Sequence, residues 1–215
     1  ITALTVQNTV GVQGVEPVSA DLVRQTLKGL HADFHLAAVR IGMLGSGDVT
    51  GVVADFLKSA KLKHVVLDPV LKSSSGADLI DAPGLKILRE RLVALSDVMT
   101  PNIAEAIALT DFVDPKSAAT KLVEMGAKAV IITGGDTTDS VDLLYERKEF
   151  EEFRAPKIES RATHGTGCAF ATSMACLLAK GKSVREALIE AKVYVRQAIE
   201  NAPGLGRGIG PMKLG

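Results

Sequence analysis

The sequence predicts an α/β fold: a mostly parallel central sheet with helices on both faces and an antiparallel extension at one edge. Three observations carry this. Short apolar runs alternate with amphipathic segments along most of the 215 residues, the pattern of strand–helix–strand crossovers. The run Val65-Val66-Leu67 is apolar at every position rather than every second one, as expected of a strand covered on both faces. After Gly135 the pattern changes to short strand-like stretches between small turns, which is how hairpins read.

The elements follow in order. Strands are predicted at 1–6, 37–41, 64–70, 97–99 and 129–133. A helix over 20–30 follows Ser19 and carries Leu22, Val23, Leu27 and Leu30. A second, over 48–60, carries Val49, Val52, Val53, Phe56 and Leu57. A third, over 84–95, places Leu85, Leu88, Leu92 and Leu95 at helical spacing. A fourth, over 116–125, ends at Gly126, a residue suited to a left-handed cap. Short strands are predicted at 140–145, 149–153 and 157–160, with Glu146-Arg147-Lys148 as an exposed turn. An apolar helix then opens around Gly167. A last helix, with the capping box Ser183-Val184-Arg185-Glu186, runs to about Asn201. The tail, 203–211, is too glycine-rich for regular structure. Neither an internal repeat nor a linker divides the chain, so 1–215 reads as one domain. The chain opens inside a strand pattern without Met, so residues preceding Ile1 are expected to be missing from it.

Composition narrows the function. Hydrophobic residues are 47% and charged residues 23%, which argues against disorder. Lys+Arg and Asp+Glu are 25 each. That balance, without segregation of charge, argues against a nucleic-acid face or a polybasic membrane anchor. Two cysteines exclude a disulfide framework and a four-cysteine zinc site, and fit a reducing, cytoplasmic setting. No apolar run reaches the roughly 18 residues a membrane span needs.

The most informative stretch is Thr163-His164-Gly165-Thr166-Gly167-Cys168-Ala169. Gly165 and Gly167 permit positive φ and close approach of a ligand to the backbone. The helix that follows starts with unpaired amides and a positive partial charge, the makings of a phosphate site. A plain tight loop is the other reading. Cys168 at that helix start is expected to have a depressed pKa. A thiolate beside a phosphate loop can take a proton from a substrate hydroxyl. A small buried hydrophobe is the alternative, and is the reading given to Cys176, mid-helix among Met174, Ala175 and Leu177.

The same stretch resembles the anion-hole motif of ribokinase-like kinases, most of which carry Asp where this chain has Cys168. Cys there, with the preceding His, resembles the hydroxymethylpyrimidine/phosphomethylpyrimidine kinases of thiamine biosynthesis. Four further stretches agree in order: Ala3-Leu4-Thr5-Val6-Gln7-Asn8-Thr9 with Gly11-Val12-Gln13-Gly14-Val15; Arg40-Ile41-Gly42-Met43-Leu44; Val66-Leu67-Asp68-Pro69-Val70; and Thr100-Pro101-Asn102-Ile103-Ala104-Glu105-Ala106. The resemblance covers essentially the whole chain. It implies a three-layer α/β/α ribokinase-like fold with its site at the carboxyl ends of the strands, where open α/β sheets bind ligands.

It also implies roles. Cys168 is the base, and Gly165, Thr166 and Gly167 form the anion hole. Gln7, an amide that donates and accepts, binds the aminopyrimidine edge, with Met43 and Val70 lining the same pocket. A solvent-facing Gln7 and a core Met43 are the plain alternatives. Asp68 and Glu105 belong to a Mg²⁺ region, and Asn102, Thr133 and Gly135 to ATP. Asn102 and Glu105 also read as a helix cap and its partner. Gly134-Gly135-Asp136 permits close approach of a nucleotide, but Thr133 stands where the family often has Lys. The loop Lys72-Ser73-Ser74-Ser75-Gly76 is either a cover for the site or a plain surface loop.

The expected activity is ATP-dependent phosphorylation of 4-amino-5-hydroxymethyl-2-methylpyrimidine and of its monophosphate. Pyridoxal kinase activity is the nearest alternative, and a non-catalytic pyrimidine-sensing protein is the alternative of another class. The partners expected are the small pyrimidine and a second copy of the chain, with the apolar stretch Val10 to Val15 at the dimer interface. Two departures stand out. The family's first strand and its Gly-Gly-Ala-Gly loop do not precede Ile1, and the connection at Thr110-Asp111-Phe112 looks several residues short.

Overall fold

The computed structural model describes residues 1–73, 75–135 and 140–215. Its centre is a six-stranded sheet in the order β3 (Val39–Ile41), β4 (Val65–Leu67), β5 (Val98–Met99), β6 (Ala129–Ile132), β7 (Val141–Glu146) and β8 (Glu149–Arg154). The first four are parallel, and β7 and β8 extend the edge antiparallel. Alternation along each strand divides the core. Val65, Leu67, Met99, Val130 and Ile132 face one helical layer: α1 (Ala20–Asp33), α2 (Gly47–Ala60), α3 (Ala82–Ile87), α4 (Ile103–Thr110) and α5 (Pro115–Glu124). Val66, Val98, Ala129, Ile131 and Leu144 face the other, α6 (Thr166–Ala179) and α7 (Val184–Glu200). Period-two side chains filling two cores are what make the fold three-layered.

Three expectations change. Residues 1–6 do not join the central sheet. β1 (Ala3–Asn8) pairs with β2 (Gly11–Pro17) as a separate antiparallel hairpin. Asn8 makes the turn: its Oδ1 accepts from the amides of Val10 (2.9 Å) and Gly11 (3.2 Å), which is Asx-turn chemistry. The stretch 157–160 is no strand. It follows Pro156, whose ring removes a ladder donor and whose carbonyl accepts from Arg196. The predicted helix 84–95 starts earlier, because Asp81 caps it and Pro83 sits in its first turn. Past α3 it widens into a π turn at Leu88–Leu92 and tightens into a 3₁₀ turn at Val93–Leu95, with Leu88, Leu92 and Val93 all buried. After α4, Asp111 takes a left-handed conformation and Asp114 caps α5.

The tail, as predicted, has no helix or strand, yet it is tied down. Arg207 and Gly208 amides donate to Thr9 Oγ1 at 3.2 and 3.3 Å. A Cβ at Gly208 would overlap the Thr9 carbonyl, so glycine there is a packing requirement. Further on, Gly210 and Pro211 pair with the loop before α6.

Candidate active site

The strand register dictates what meets at the sheet's carboxyl end. Arg40 lies opposite Val66, and Val66 belongs to the face covered by α6. Asp68 is two residues beyond Val66 and therefore shares that face. Both converge on the start of α6. The Arg40 guanidinium donates to the Asp68 carboxylate, and the Cys168 thiol lies close enough to both side chains for the three groups to shift one another's pKa values. Gly42 leaves room for this: a Cβ there would overlap the guanidinium.

Charge in this cluster is tightly set. Asp68 is 4% exposed. Burial pushes its pKa up, against the pull of Arg40 and of the neighbouring thiol. For Arg40, burial acts to lower the pKa, but Asp68 and Cys168 outweigh it and raise it, so the cation persists. Cys168 is an exposed residue that lines a cavity. The protein packed on its other side, together with the Asp68 carboxylate, still pushes its pKa up, with Arg40 opposing. The expected depression of this pKa is therefore overturned. The helix start is present, but the thiol shares its space with a buried carboxylate.

The loop itself has the form predicted. Gly165 adopts φ 80° as N-cap of α6, and no side chain caps that end. The other six α-helices among the described residues all have a capping side chain. The Thr166 amide donates to the Thr163 carbonyl at 3.3 Å, and the first-turn amides of Gly167 and Cys168 have no side-chain acceptor. Gly167 differs from expectation in one respect: it is helical, without positive φ. Space is open where its Cβ would be.

Gln7 reaches this loop from the hairpin, its Nε2 3.4 Å from His164 Nε2. The two line a small polar cleft with Asn8, Ser73, Ser75 and Ile209. Ser75 Oγ accepts from the Val12 amide at 3.3 Å, which brings the serine loop to the cleft edge. Ser74 lies outside the described residues. Met43 and Val70 follow the ends of β3 and β4, both half-buried. The Met43 carbonyl accepts from Thr2 Oγ1 at 2.6 Å, docking the hairpin onto the sheet.

On the next strands, Asn102 and Glu105 form a reciprocal capping box. Asn102 Oδ1 accepts from the Glu105 amide at 2.8 Å, and Glu105 Oε2 from the Asn102 amide at 2.9 Å. Thr133 bridges to Asn102, its amide donating to Pro101 O at 2.9 Å. Gly134 is demanded by its own fold, since a Cβ would overlap the Val141 carbonyl. Gly135 is open, and Asp136 lies outside the described residues. No group of three or more His, Cys, Asp or Glu among the described residues is arranged to hold a metal. The acidic oxygens here suit only a hard cation that arrives with phosphate and water.

Two features were not read from sequence. Cys176 is exposed rather than core. Cys168, Thr172 and Cys176 form one outward stripe of α6 at i, i+4, i+8, on a cavity of about 520 Å³ that Tyr194 and Met212 also line, while Met174, Ala175 and Leu178 face the sheet. Arg40 was quoted only as part of a motif. Its signal was a cation inside an otherwise apolar strand, a residue that needs a partner. Among the described residues, Arg40 Nε and Thr100 Oγ1 are the buried side-chain polar atoms without a hydrogen-bond partner. They lie on β3 and just past β5, flanking β4 and its Asp68. Buried polar atoms are nearly always partnered, so each orphan calls for a specific explanation.

Comparison with known proteins agrees. The sequence profile described as phosphomethylpyrimidine kinase matches residues 1–213. A hydroxymethylpyrimidine/phosphomethylpyrimidine kinase of Aquifex aeolicus is 38% identical over 215 residues, covering 97% of this chain and 84% of its own. An ADP complex of Bacillus subtilis pyridoxal kinase has a TM-score of 0.87 at 32% identity, over 98% of this chain and 82% of that one. A phosphomethylpyrimidine kinase from Clostridium difficile has a TM-score of 0.81 at 29% identity, over 93% and 84%. The three-layer fold expected of a ribokinase-like kinase is the one found.

Proposed function

This chain belongs to the phosphomethylpyrimidine kinase family, and from that premise we propose how its residues divide the work of two phosphoryl transfers. The chain is a phosphotransferase of thiamine biosynthesis. Its first acceptor is the hydroxymethyl oxygen of 4-amino-5-hydroxymethyl-2-methylpyrimidine, and its second is the phosphate so formed. The observation that carries the reading is Cys168 at the uncapped start of α6, beside the Arg40–Asp68 pair.

Cys168 takes the proton of the substrate alcohol. The amides from Gly165 to Cys168 receive the charge on the transferring group, a placement that stabilises the transition state more than the ground state. Gln7 and His164 orient the pyrimidine from the hairpin side, with Met43 and Val70 against the ring. Asn102, Thr133 and Gly135 meet ATP. Asp68 and Glu105 would hold Mg²⁺ through water, and that ion would supply charge neutralisation on the phosphate oxygens. Each carboxylate has a protein partner already, Asp68 with Arg40 and Glu105 in its capping box, which fits one or two contacts to a hydrated ion rather than a closed cage.

The second phosphorylation needs little base, since a phosphate monoester is mostly ionised at neutral pH. Release of ADP with the pyrimidine alcohol and then its monophosphate tests the reading. Tight pyrimidine binding without ADP release would replace it with a sensing protein. Pyridoxal is the second acceptor to assay, because the Bacillus subtilis structural relative is a pyridoxal kinase. Ile1, Leu4, Val6 and Val10 leave an exposed apolar face on the hairpin. That face supports a homodimer, which sedimentation of wild type against Val6→Asp would detect. No helix among the described residues is long and apolar enough to cross a membrane. Two free cysteines are in keeping with a reducing, cytoplasmic setting.

A further inference from the structure

We infer that Arg40 is the specificity residue of the second transfer, the cation that receives the phosphate of the monophosphate substrate. The inference rests on the kinase reading above and adds a residue to it.

Both reactions proceed at one place. A thiol that takes the alcohol's proton lies within hydrogen-bond reach of the alcohol oxygen. Arg40 lies beside the same thiol, close enough for the two to shift each other's pKa. When that oxygen carries a phosphate, the phosphate enters the reach of the guanidinium. The nearest anion on that side is the Asp68 carboxylate, which would repel a phosphate unless a cation stood beside it. Arg40 is that cation, and guanidinium remains charged at any working pH.

Its hydrogen bonding is also incomplete. A guanidinium has five N–H donors in a planar fork suited to phosphate oxygens. Here it donates to Asp68, and Nε is buried without a partner. Of the side-chain surface, 24% remains open. Gly42 keeps the space in which the fork lies. The alcohol substrate has no group that uses this charge, whereas the monophosphate does. The chemical class recognised is therefore a phosphate monoester on a ring methylene, in the acceptor position rather than the nucleotide position.

The test is a ratio: kcat/KM with the monophosphate over kcat/KM with the alcohol. Arg40→Gln alone would leave the Asp68 charge buried and unpaired. The comparison is therefore Asp68→Asn against Asp68→Asn/Arg40→Gln, in which losses common to both acceptors cancel. Removing Arg40 is expected to lower the ratio roughly 10- to 100-fold, the worth of a charged hydrogen bond. An unchanged or rising ratio overturns the assignment and leaves Arg40 as the partner of Asp68 alone. If the double variant has no thermal unfolding transition, Arg40→Lys decides. A monophosphate KM that rises more than the alcohol KM supports the role, and parallel changes reject it. Wild type active on both acceptors with an unmoved ratio sinks only the role of Arg40. Wild type active on neither sinks the kinase reading and this inference with it.

Discussion

Among the described residues two largely buried cation–carboxylate pairs join distant parts of the chain, and they are built differently. Lys192 of α7 donates to Asp142 of β7 and to the carbonyls of Ser140 (3.0 Å) and Phe153 (3.1 Å). Those three acceptors use all three ammonium donors. Asp142 Oδ1 accepts from the Gly134 amide at 2.9 Å. This pair is complete. It ties α7 to the antiparallel edge and fixes the backbone after β6. Arg40 and Asp68 form the other pair, with a thiol beside both and the guanidinium Nε buried without a partner. A buried charge with all its bonds made is a staple. One with a bond unmade is held ready for a ligand, because protein interiors rarely leave such donors idle.

The largest effect that would break this contrast is at Cys168. Cys168→Ala is expected to lower kcat for the alcohol about 10²- to 10⁴-fold, the usual worth of a positioned base, and to lower monophosphate turnover less. Steady-state ADP release with each acceptor measures it. Equal losses would remove the base and leave the thiol a packing role, and the Arg40 cluster would then resemble the staple more than a reaction centre.

Next comes the staple itself. Lys192→Met strands the Asp142 carboxylate inside the protein, with the pair only 14% and 8% exposed. The expected cost is about 3–5 kcal/mol of stability, read by urea unfolding. The monophosphate-to-alcohol ratio of the surviving folded fraction is expected to stay at the wild-type value. A shifted ratio would mean that the two pairs are coupled across the sheet.

A third test reads the site cluster directly, without substrate. Because burial and Asp68 raise the Cys168 pKa, alkylation by iodoacetamide in a Cys176→Ser background is expected to keep accelerating above the pH at which ordinary thiols level off. Asp68→Asn removes the second of those causes and is expected to move the inflection down. The same sign holds for stability. A group whose pKa is higher folded than unfolded contributes fully below the unfolded value, and the contribution is lost as pH rises through the folded one. Wild type is therefore expected to lose stability toward alkaline pH, and less so after Cys168→Ala. An inflection below the ordinary thiol range would return the helix start to dominance.

The contrast also explains what the sequence could and could not convey. β4 and β6 were legible because strands buried on both faces have nowhere to place a polar residue. Asn102 with Glu105 and Ser183 with Glu186 were legible because capping is a local transaction within one turn. The Gly165 loop was legible because positive φ at a helix start favours glycine. Arg40 escaped because its meaning lies in Asp68, 28 residues away, and Cys168 still further along the chain. Lys192 escaped for the same reason, since its partner is 50 residues off. Cys176 was misread because α6 is apolar nearly all round, so composition alone does not say which stripe meets the sheet. The hairpin was misread because one Asn side chain, Asn8, supplies the turn.

The smallest expected effect is the most discriminating. Gly42→Ala removes no charge and no hydrogen-bonding group. It places a methyl where the Arg40 guanidinium lies, and the guanidinium, as the end of a flexible side chain, can swing aside. The cost is one of rotamer and position, and a lowering of the monophosphate-to-alcohol ratio by about 2- to 10-fold is expected. The direction matters more than the size. If Arg40 only neutralised Asp68, a displaced but still charged guanidinium would serve nearly as well, and both acceptors would respond alike. A ratio that moves with the position of the charge, while the charge itself is kept, is the behaviour of a residue that meets a substrate.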